Sequence, residues 1–592
     1  MAQTDDGFVR VADADDVREE GRALVNADGH HVAVFHHEGE FHAVDNRCPH
    51  MGFPLMEGTV DEGVLTCHWH HARFELSCGD TFDPFADDVP SYPVEERDGA
   101  LFVDPDPARD RNPVEHWTGR LEAGLRENLS LVTAKAVIGL DGAGVPYPEP
   151  LRVGLEFGTE NRAAGWGRGL TTMGVMANLY PQVREADQRR ALYRGLTEVA
   201  GECSGEPPFF GQQPLGAEDV SPERLDDWFR ENVEVRDSDG AERVLRTAIR
   251  QGLDESDVAG MLFGAATDHR YLDTGHRLDF VNKAFDTLDH VGWEHADQVL
   301  PTLVPGLASA SRAEESSAWR QPVDVAGLLS DAFEDLPGLA AGADGDWTEP
   351  DDLLEILLGE DPQAIVDALL GAVDDGATAE QLARVVAYAA ARRVAQFGTS
   401  NEFNDWNTVH HTFTYANAVH GAARRTDAWE VYRGVFDAAA KVYLDRFLNT
   451  PPTPLPDPDG DRDPDAVLDD LRDTFEVERD AEVDRAGRLT AEYLASGGDV
   501  GRLKSALGEV LLREDVGFHP NQNLEAAFNQ LAFAHDARRR TVLLVAAARY
   551  LSAHTPTRRS AEQTFTIAER LDRGEKLHEA DGEATEAAAD DD

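Results

Sequence analysis

Lysine is nearly missing from this 592-residue chain: Lys135, Lys283, Lys441, Lys504 and Lys576 stand beside 49 arginines. Basic charge as a whole is scarce, 54 Lys plus Arg against 112 Asp plus Glu, for a formal net charge of −58. Self-repulsion of that size loosens a compact state in dilute buffer. At about 1 M salt the Debye length falls to roughly 3 Å and the repulsion becomes short-ranged. The deficit runs along the whole chain rather than sitting in one tail, so the composition is the one expected of a halophilic protein. It argues against nucleic acid and anionic membrane as partners. Cysteine is also sparse; four residues are too few for a disulfide framework. No run of 18 apolar residues occurs, and the opening MAQTDDGFVRVADADD has neither a basic start nor an apolar core. A cytoplasmic protein without a membrane span is expected. The nucleotide and flavin fingerprints G-x-G-x-x-G and G-x₄-G-K-[ST] are absent. A di-iron bundle would need two Glu-x₂-His helices, and only Glu575-x₂-His578 occurs.

Enough remains for packed cores: 41 % of residues are apolar, and the length calls for more than one domain. Residues 1–106 read as short strands and turns. HVAVFHHEGEFHAV (31–44) and VEERDGALFV (94–103) are hairpins bent at Glu38-Gly39 and Asp98-Gly99. Residues 107–117, polar and proline-bearing, read as a linker. Beyond it the apolar period becomes helical, as in SPERLDDWFRENV (221–233), TAEQLARVVAYAAARRVAQF (378–397), AWEVYRGVFDAAAKVYLDRFL (428–448) and RRTVLLVAAARYL (539–551). Residues 118–576 are therefore expected to form one large all-α domain, interrupted at 158–174 and 450–465, and 577–592 a disordered acidic tail. The fold class is multidomain: a small all-β unit of antiparallel sheets followed by a large all-α unit.

Two tightly spaced Cys–His pairs lie between the hairpins, in CPHMGFPLMEGTVDEGVLTCHWHHARF (48–74). Structural zinc sites use ligand pairs two to four residues apart. Cys48 and His50 have a single residue between them, which suits another geometry: a [2Fe–2S] centre, where each loop gives its Cys to one iron and its His to the other. The pattern C-x-H-x₁₆-C-x₂-H resembles the Rieske family, over most of residues 7–104. The resemblance implies a Rieske-type [2Fe–2S] cofactor with Cys48, His50, Cys67 and His70 as cluster ligands. It gives no role to His68 and His71, nor to His30, His31, His36, His37 and His42. Cys78 and Cys203 read as free thiols.

Departures within the motif indicate the type. High-potential members of the family clamp the cluster loops with a disulfide, where this chain has Phe53 and Trp69; they aim Ser and Tyr hydroxyls at the cluster, where it has Ala72 and Phe74. Without those donors the reduced, more negative centre is less stabilised. A low-potential protein of the ferredoxin and oxygenase type is implied, with a redox partner protein, reductase or acceptor.

In the helical region, the mononuclear iron motif of Rieske oxygenases, Asp-x₂-His-x₄-His, has only an imperfect match in Asp286, His290 and His295. Three segments resemble one another: HRLDFVNKAF from His276, HTFTYANAVH from His411 and HPNQNLEAAF from His519, each with Asn or Glu six residues on (Asn282, Asn417, Glu525). Convergence of His276, His411 and His519 would make a second metal site, with a carboxylate drawn from Asp268, Asp273 and Asp279 around His269 and His276, or from Glu514 and Asp515. The alternative is three histidines packed in helix interfaces. Two functions follow. In one the chain is an oxidoreductase whose cluster passes electrons to or from a site in the helical domain, its substrate left open. In the other it is a non-enzymatic electron carrier or redox-responsive binding protein with the helices as a docking scaffold.

Overall fold

The computed structural model describes residues 7–108, 112–478, 480–575 and 577. Two compact units emerge, Met1–Val153 with Gln563–Asp592 and Gly154–Glu562. His578 and nearly all of the expected acidic tail lie outside the described residues.

The first unit holds ten short strands: β1 (Val9–Asp13), β2 (Arg22–Ala27), β3 (His30–His37), β4 (Glu40–Asp45), β5 (Thr59–Asp61), β6 (Val64–Thr66), β7 (Arg73–Glu75), β8 (Ser91–Tyr92), β9 (Val94–Arg97) and β10 (Ala100–Val103). They pair antiparallel in three sheets, ordered β1-β10-β9, β2-β3-β4-β8 and β5-β6-β7. Both expected hairpins form. Glu38-Gly39 and Asp98-Gly99 take positive φ at both positions, the mirror-image turn whose twist matches the strands it joins. One core cluster gathers Phe35, Val44, Leu55, Leu65 and Phe74 around Cys48 and Cys67.

The domain boundaries differ from those expected. A helix, Pro113–Arg126, starts inside the 107–117 stretch; the Asn112 side chain accepts from the Val114 and Glu115 N–H groups, and Pro113 fits the first turn because it has no N–H to leave orphaned. Residues 109–111 lie outside the described residues. This helix and the next, Ser130–Gly142, belong to the first unit rather than to the large helical one. Arg120 donates to the carbonyls of Pro84 and Ala86 at 2.9 Å, and His116 Nε2 lies 2.9 Å from Asp87 Oδ2. The chain's C-terminal part also joins the first unit, where Arg47 donates to the Glu575 carbonyl at 3.0 Å.

The second unit is helical. The four segments with helical period form Pro222–Glu234, Ala379–Ala395, Val431–Asp445 and Ala537–Ser552. Thr378 and Gln381 close a reciprocal capping box, and Ser221 caps its own helix. The three similar segments lie on Phe403–Arg425, His276–Val291 and Phe518–Leu531, the first packing against the other two. Gly421 lies where two of them meet closely: a Cβ there would stand 2.2 Å from Asn282 Oδ1. Asn282, Asn417 and Glu525 are all buried, and Lys283 Nζ reaches Glu525 at 2.9 Å and Asp286 at 3.2 Å. Among the described residues no strand follows Val103, and no helix is long and apolar enough to cross a membrane.

Candidate metal centres

Two loops of matched construction carry the Cys–His pairs, one between β4 and β5 and one between β6 and β7. The Cys48 N–H donates to the Phe53 carbonyl and the Cys67 N–H to the Ala72 carbonyl, each five residues on. Each cysteine carbonyl in turn accepts from the N–H four residues on, that of Gly52 or of His71. Those two residues are left-handed, at φ 80° and 61°. Glycine adopts that conformation without cost, whereas His71 stores backbone strain. His71 thus closes the second loop as Gly52 closes the first.

The loops bring like with like. The two buried cysteine side chains are near enough to act on each other's ionisation, and the His50 and His70 rings meet edge to face at 4.9 Å between centroids. Both cysteines are buried and unbridged. The neighbouring Cys48 thiol holds Cys67 down to about 6, while Cys67 and burial push Cys48 up. Both can be thiolates together only beside a cation. Burial, then Lys135 and His70, push His50 down to about 4, leaving a neutral imidazole; its Nδ1 is buried without a hydrogen-bond partner. A single tetrahedral zinc would require all donors to close on one point at about 2.0–2.3 Å. Among the described residues, the only group of three or more donors that tight is elsewhere. A sulfur pair beside a nitrogen pair fits a binuclear centre, one iron to each.

Phe53 and Trp69 pack across the two loops, their ring centroids 5.9 Å apart. Ala72 and Phe74 are fully buried and offer no hydroxyl. A contact absent from the sequence reading is Lys135, on Ser130–Gly142, whose Nζ donates to the carbonyls of Pro49 at 2.6 Å and His50 at 2.5 Å. Burial pushes its ammonium down to about 8. Nothing in its helix's sequence marks it, beyond the rarity of lysine.

In the helical unit His276, His411 and His519 converge, offering nitrogens that all lie within 4.8 Å of one another. Three different helices supply them, each His at the same place in its repeat. His411 Nε2 and His519 Nε2 are 3.0 Å apart, and the His276 and His519 rings lie nearly parallel at 5.7 Å. Burial is the main cause that pushes all three down, His276 to about 3, His411 to about 2 and His519 to about 4, with neighbouring imidazoles and Arg168 adding to it. The lone pairs are therefore available at neutral pH. The expected carboxylate does not join them. Asp268 pairs with Arg230 and Arg433, Asp273 with Arg277 and Ser311, and Asp279 with Gln522. Glu514 and Asp515 bind the 557–561 segment. Every one is spoken for by a nearer donor.

Asp286, His290 and His295 form no such group. Asp286 bonds Arg425, Lys283 and Asn178, and His290 Nε2 lies 2.9 Å from Asn178 Oδ1. His269 sits between Glu234 and Glu314.

Comparison with known proteins agrees with the first centre. Residues 7–93 match the family model of the Rieske [2Fe–2S] domain. The ferredoxin component of the alkene monooxygenase system of Xanthobacter autotrophicus is 32 % identical over 106 residues, 18 % of this chain and 87 % of that protein. Human apoptosis-inducing factor 3 is 37 % identical over 73 residues, which span only 12 % of either chain. Among solved structures, the ferredoxin of carbazole 1,9a-dioxygenase from Nocardioides aromaticivorans IC177 is 26 % identical, over 17 % of this chain and 98 % of that one, with a TM-score of 0.16. By this N-terminal domain, which resembles the ferredoxin components of oxygenase systems and serves iron–sulfur electron transfer, the chain belongs to the Rieske [2Fe–2S] family.

Proposed function

We propose that this chain is an oxidoreductase: its N-terminal domain exchanges electrons with a redox partner protein and with a non-haem metal site at His276, His411 and His519. The convergence of those three histidines carries this reading. The [2Fe–2S] centre, when bound, supplies one-electron transfer. Cys48 and Cys67 would hold it by their sulfurs and His50 and His70 by ring nitrogens, with Phe53 and Trp69 packed across the two loops. Lys135 fixes the first loop through its two carbonyl contacts.

In the helical unit three neutral imidazoles would occupy one face of a metal ion and leave the other positions open for a small molecule. Imidazole suits zinc, copper and iron alike; a redox role excludes zinc, and of the two metals left this reading takes iron. That the Xanthobacter relative is by name one component of a monooxygenase system supports a partner protein for this domain. The even spread of negative charge supports work in a concentrated-salt cytoplasm.

Metal analysis tests the reading. Protein prepared anaerobically in high salt should carry a third iron beyond the cluster pair, and a His276/His411/His519 triple Ala variant should lose only that one, keeping its iron–sulfur absorbance. Two irons in both proteins would favour a carrier whose helices are a docking scaffold.

A further inference from the structure

A cavity of about 680 Å³ opens onto His276. Its walls carry four arginines, Arg162, Arg168, Arg236 and Arg277, against two carboxylates, Glu202 and Asp273. In a chain where acids outnumber bases 112 to 54, a lining with the opposite balance needs a reason. Pairing accounts for half of it: Arg162 lies 3.4 Å from Glu202, and Arg277 is 2.5 Å from Asp273. The other two have no carboxylate among the described residues. Arg236 donates only to the carbonyls of Ala308 and Ala310. Arg168, at the first turn of Arg168–Leu179, has its guanidinium 5.8 Å from the Phe518 ring, and Phe518 itself stands 5.7 Å from His276.

The apolar part of the lining includes Trp166, Phe280 and Pro305, with Ser238 and Ser309 as neutral polar groups. Trp166 is held rigidly, its indole N–H donating to Thr171 Oγ1 at 2.8 Å. Phe280 and His276 lie 5.7 Å apart. The volume is that of a site for a drug-sized organic molecule. The charge logic points the same way. A divalent ion on three neutral imidazoles keeps its full charge, and Arg168 and Lys441 add to the positive potential felt by His411. Such a site lacks an anion.

We infer that this cavity binds an organic carboxylic acid, its carboxylate at Arg168 and Arg236 and its apolar body against Trp166 and Phe280, beside His276. As a substrate rather than only a ligand, this acid rests on the metal reading above. Inorganic anions share the charge but not the body, and a neutral analogue shares the body but not the charge.

The test is calorimetric titration of the full chain in high salt with 1-naphthoate, 1-naphthamide and inorganic phosphate, with metal content measured on the same samples. Naphthoate should bind at least about tenfold more tightly than the amide, as a charge-assisted bond requires, and more tightly than phosphate. Arg168→Ala should weaken naphthoate by about tenfold or more, Arg168→Lys less, and neither should change the near-UV circular dichroism. Equal binding of acid and amide, phosphate as tight as naphthoate, or indifference to Arg168→Ala would overturn the inference. Arg168-dependent naphthoate binding without a third metal would leave the cavity standing and remove the metal reading. A third metal with no preference for the acid would do the reverse.

Discussion

His411 Nε2 lies 3.0 Å from His519 Nε2, between residues 108 apart in the chain. Two neutral imidazoles at that distance either share one N–H proton or bind one ion together. Under the metal reading these two nitrogens and His276 would hold one ion from one side, leaving positions opposite for a small molecule.

The potential of the iron–sulfur centre should fall near about −150 mV, the low end of the Rieske range, because buried Ala72 and Phe74 donate no hydrogen bond. Ala72→Ser should raise it. Lys135→Met should lower it by on the order of 60 mV, about 1.4 kcal/mol for one electron, since a positive charge at the Pro49 and His50 carbonyls favours the reduced state. Redox titration followed by electron paramagnetic resonance reads both; an unchanged potential in Lys135→Met would remove that charge from the account.

The approach of two triad helices should tolerate no added atom. Gly421→Ala puts a methyl 2.2 Å from Oδ1 of Asn282, a buried side chain that also bonds Asp286 at 3.1 Å and has little room to yield. The expected cost is about 1–3 kcal/mol, with weaker retention of the third metal. Thermal unfolding and metal analysis of the same preparation check this.

Acid should destabilise the helical unit through His420. This side chain is buried, accepts from Gln530 Nε2 at 3.1 Å, and has Arg384, Arg424 and, 3.9 Å away, Glu380 as charged neighbours. Burial, then the two arginines, push it down to about 4. The unfolded chain therefore takes up a proton at a higher pH than the folded one, and stability is lost as pH falls from about 6.5 toward 4, by roughly 2–3 kcal/mol from this group. His420→Gln should make the midpoint decline less steeply across that window, with His276, His411 and His519 supplying the remainder; an equally steep decline in the variant would assign it wholly to other groups.

Salt should stabilise the fold. With a net charge of −58, the unfolding midpoint should rise between about 0.1 and 1 M KCl as the Debye length shrinks from roughly 10 to 3 Å. A flat or falling midpoint would contradict the halophilic reading.

Much of this was legible in the chain itself. The mirror-image turns at Glu38-Gly39 and Asp98-Gly99 and the caps at Ser221 and Thr378 are local chemistry, so a few residues decide them. His276, His411 and His519 could be found because equivalent places on similar helices meet when the helices pack. The missing carboxylate could not, since proximity in sequence to a histidine says nothing of which arginine captures Asp268 or Asp273. Lys135 and the cavity arginines are equally silent: each joins its site from a separate element, and only the folded chain brings Arg162, Arg236 and Arg277 to one cavity. The boundary near 107–117 was hidden for a similar reason. A proline-bearing stretch looks like a linker until Asn112 and Pro113 start a helix.

X-ray diffraction at the iron absorption edge tests the central claim most directly. Anomalous density should appear between Cys48, His50, Cys67 and His70, and a separate peak among His276, His411 and His519, each imidazole about 2 Å from it. A map with the first feature alone, and with His411 hydrogen-bonded directly to His519 across an empty triad, would contradict the account.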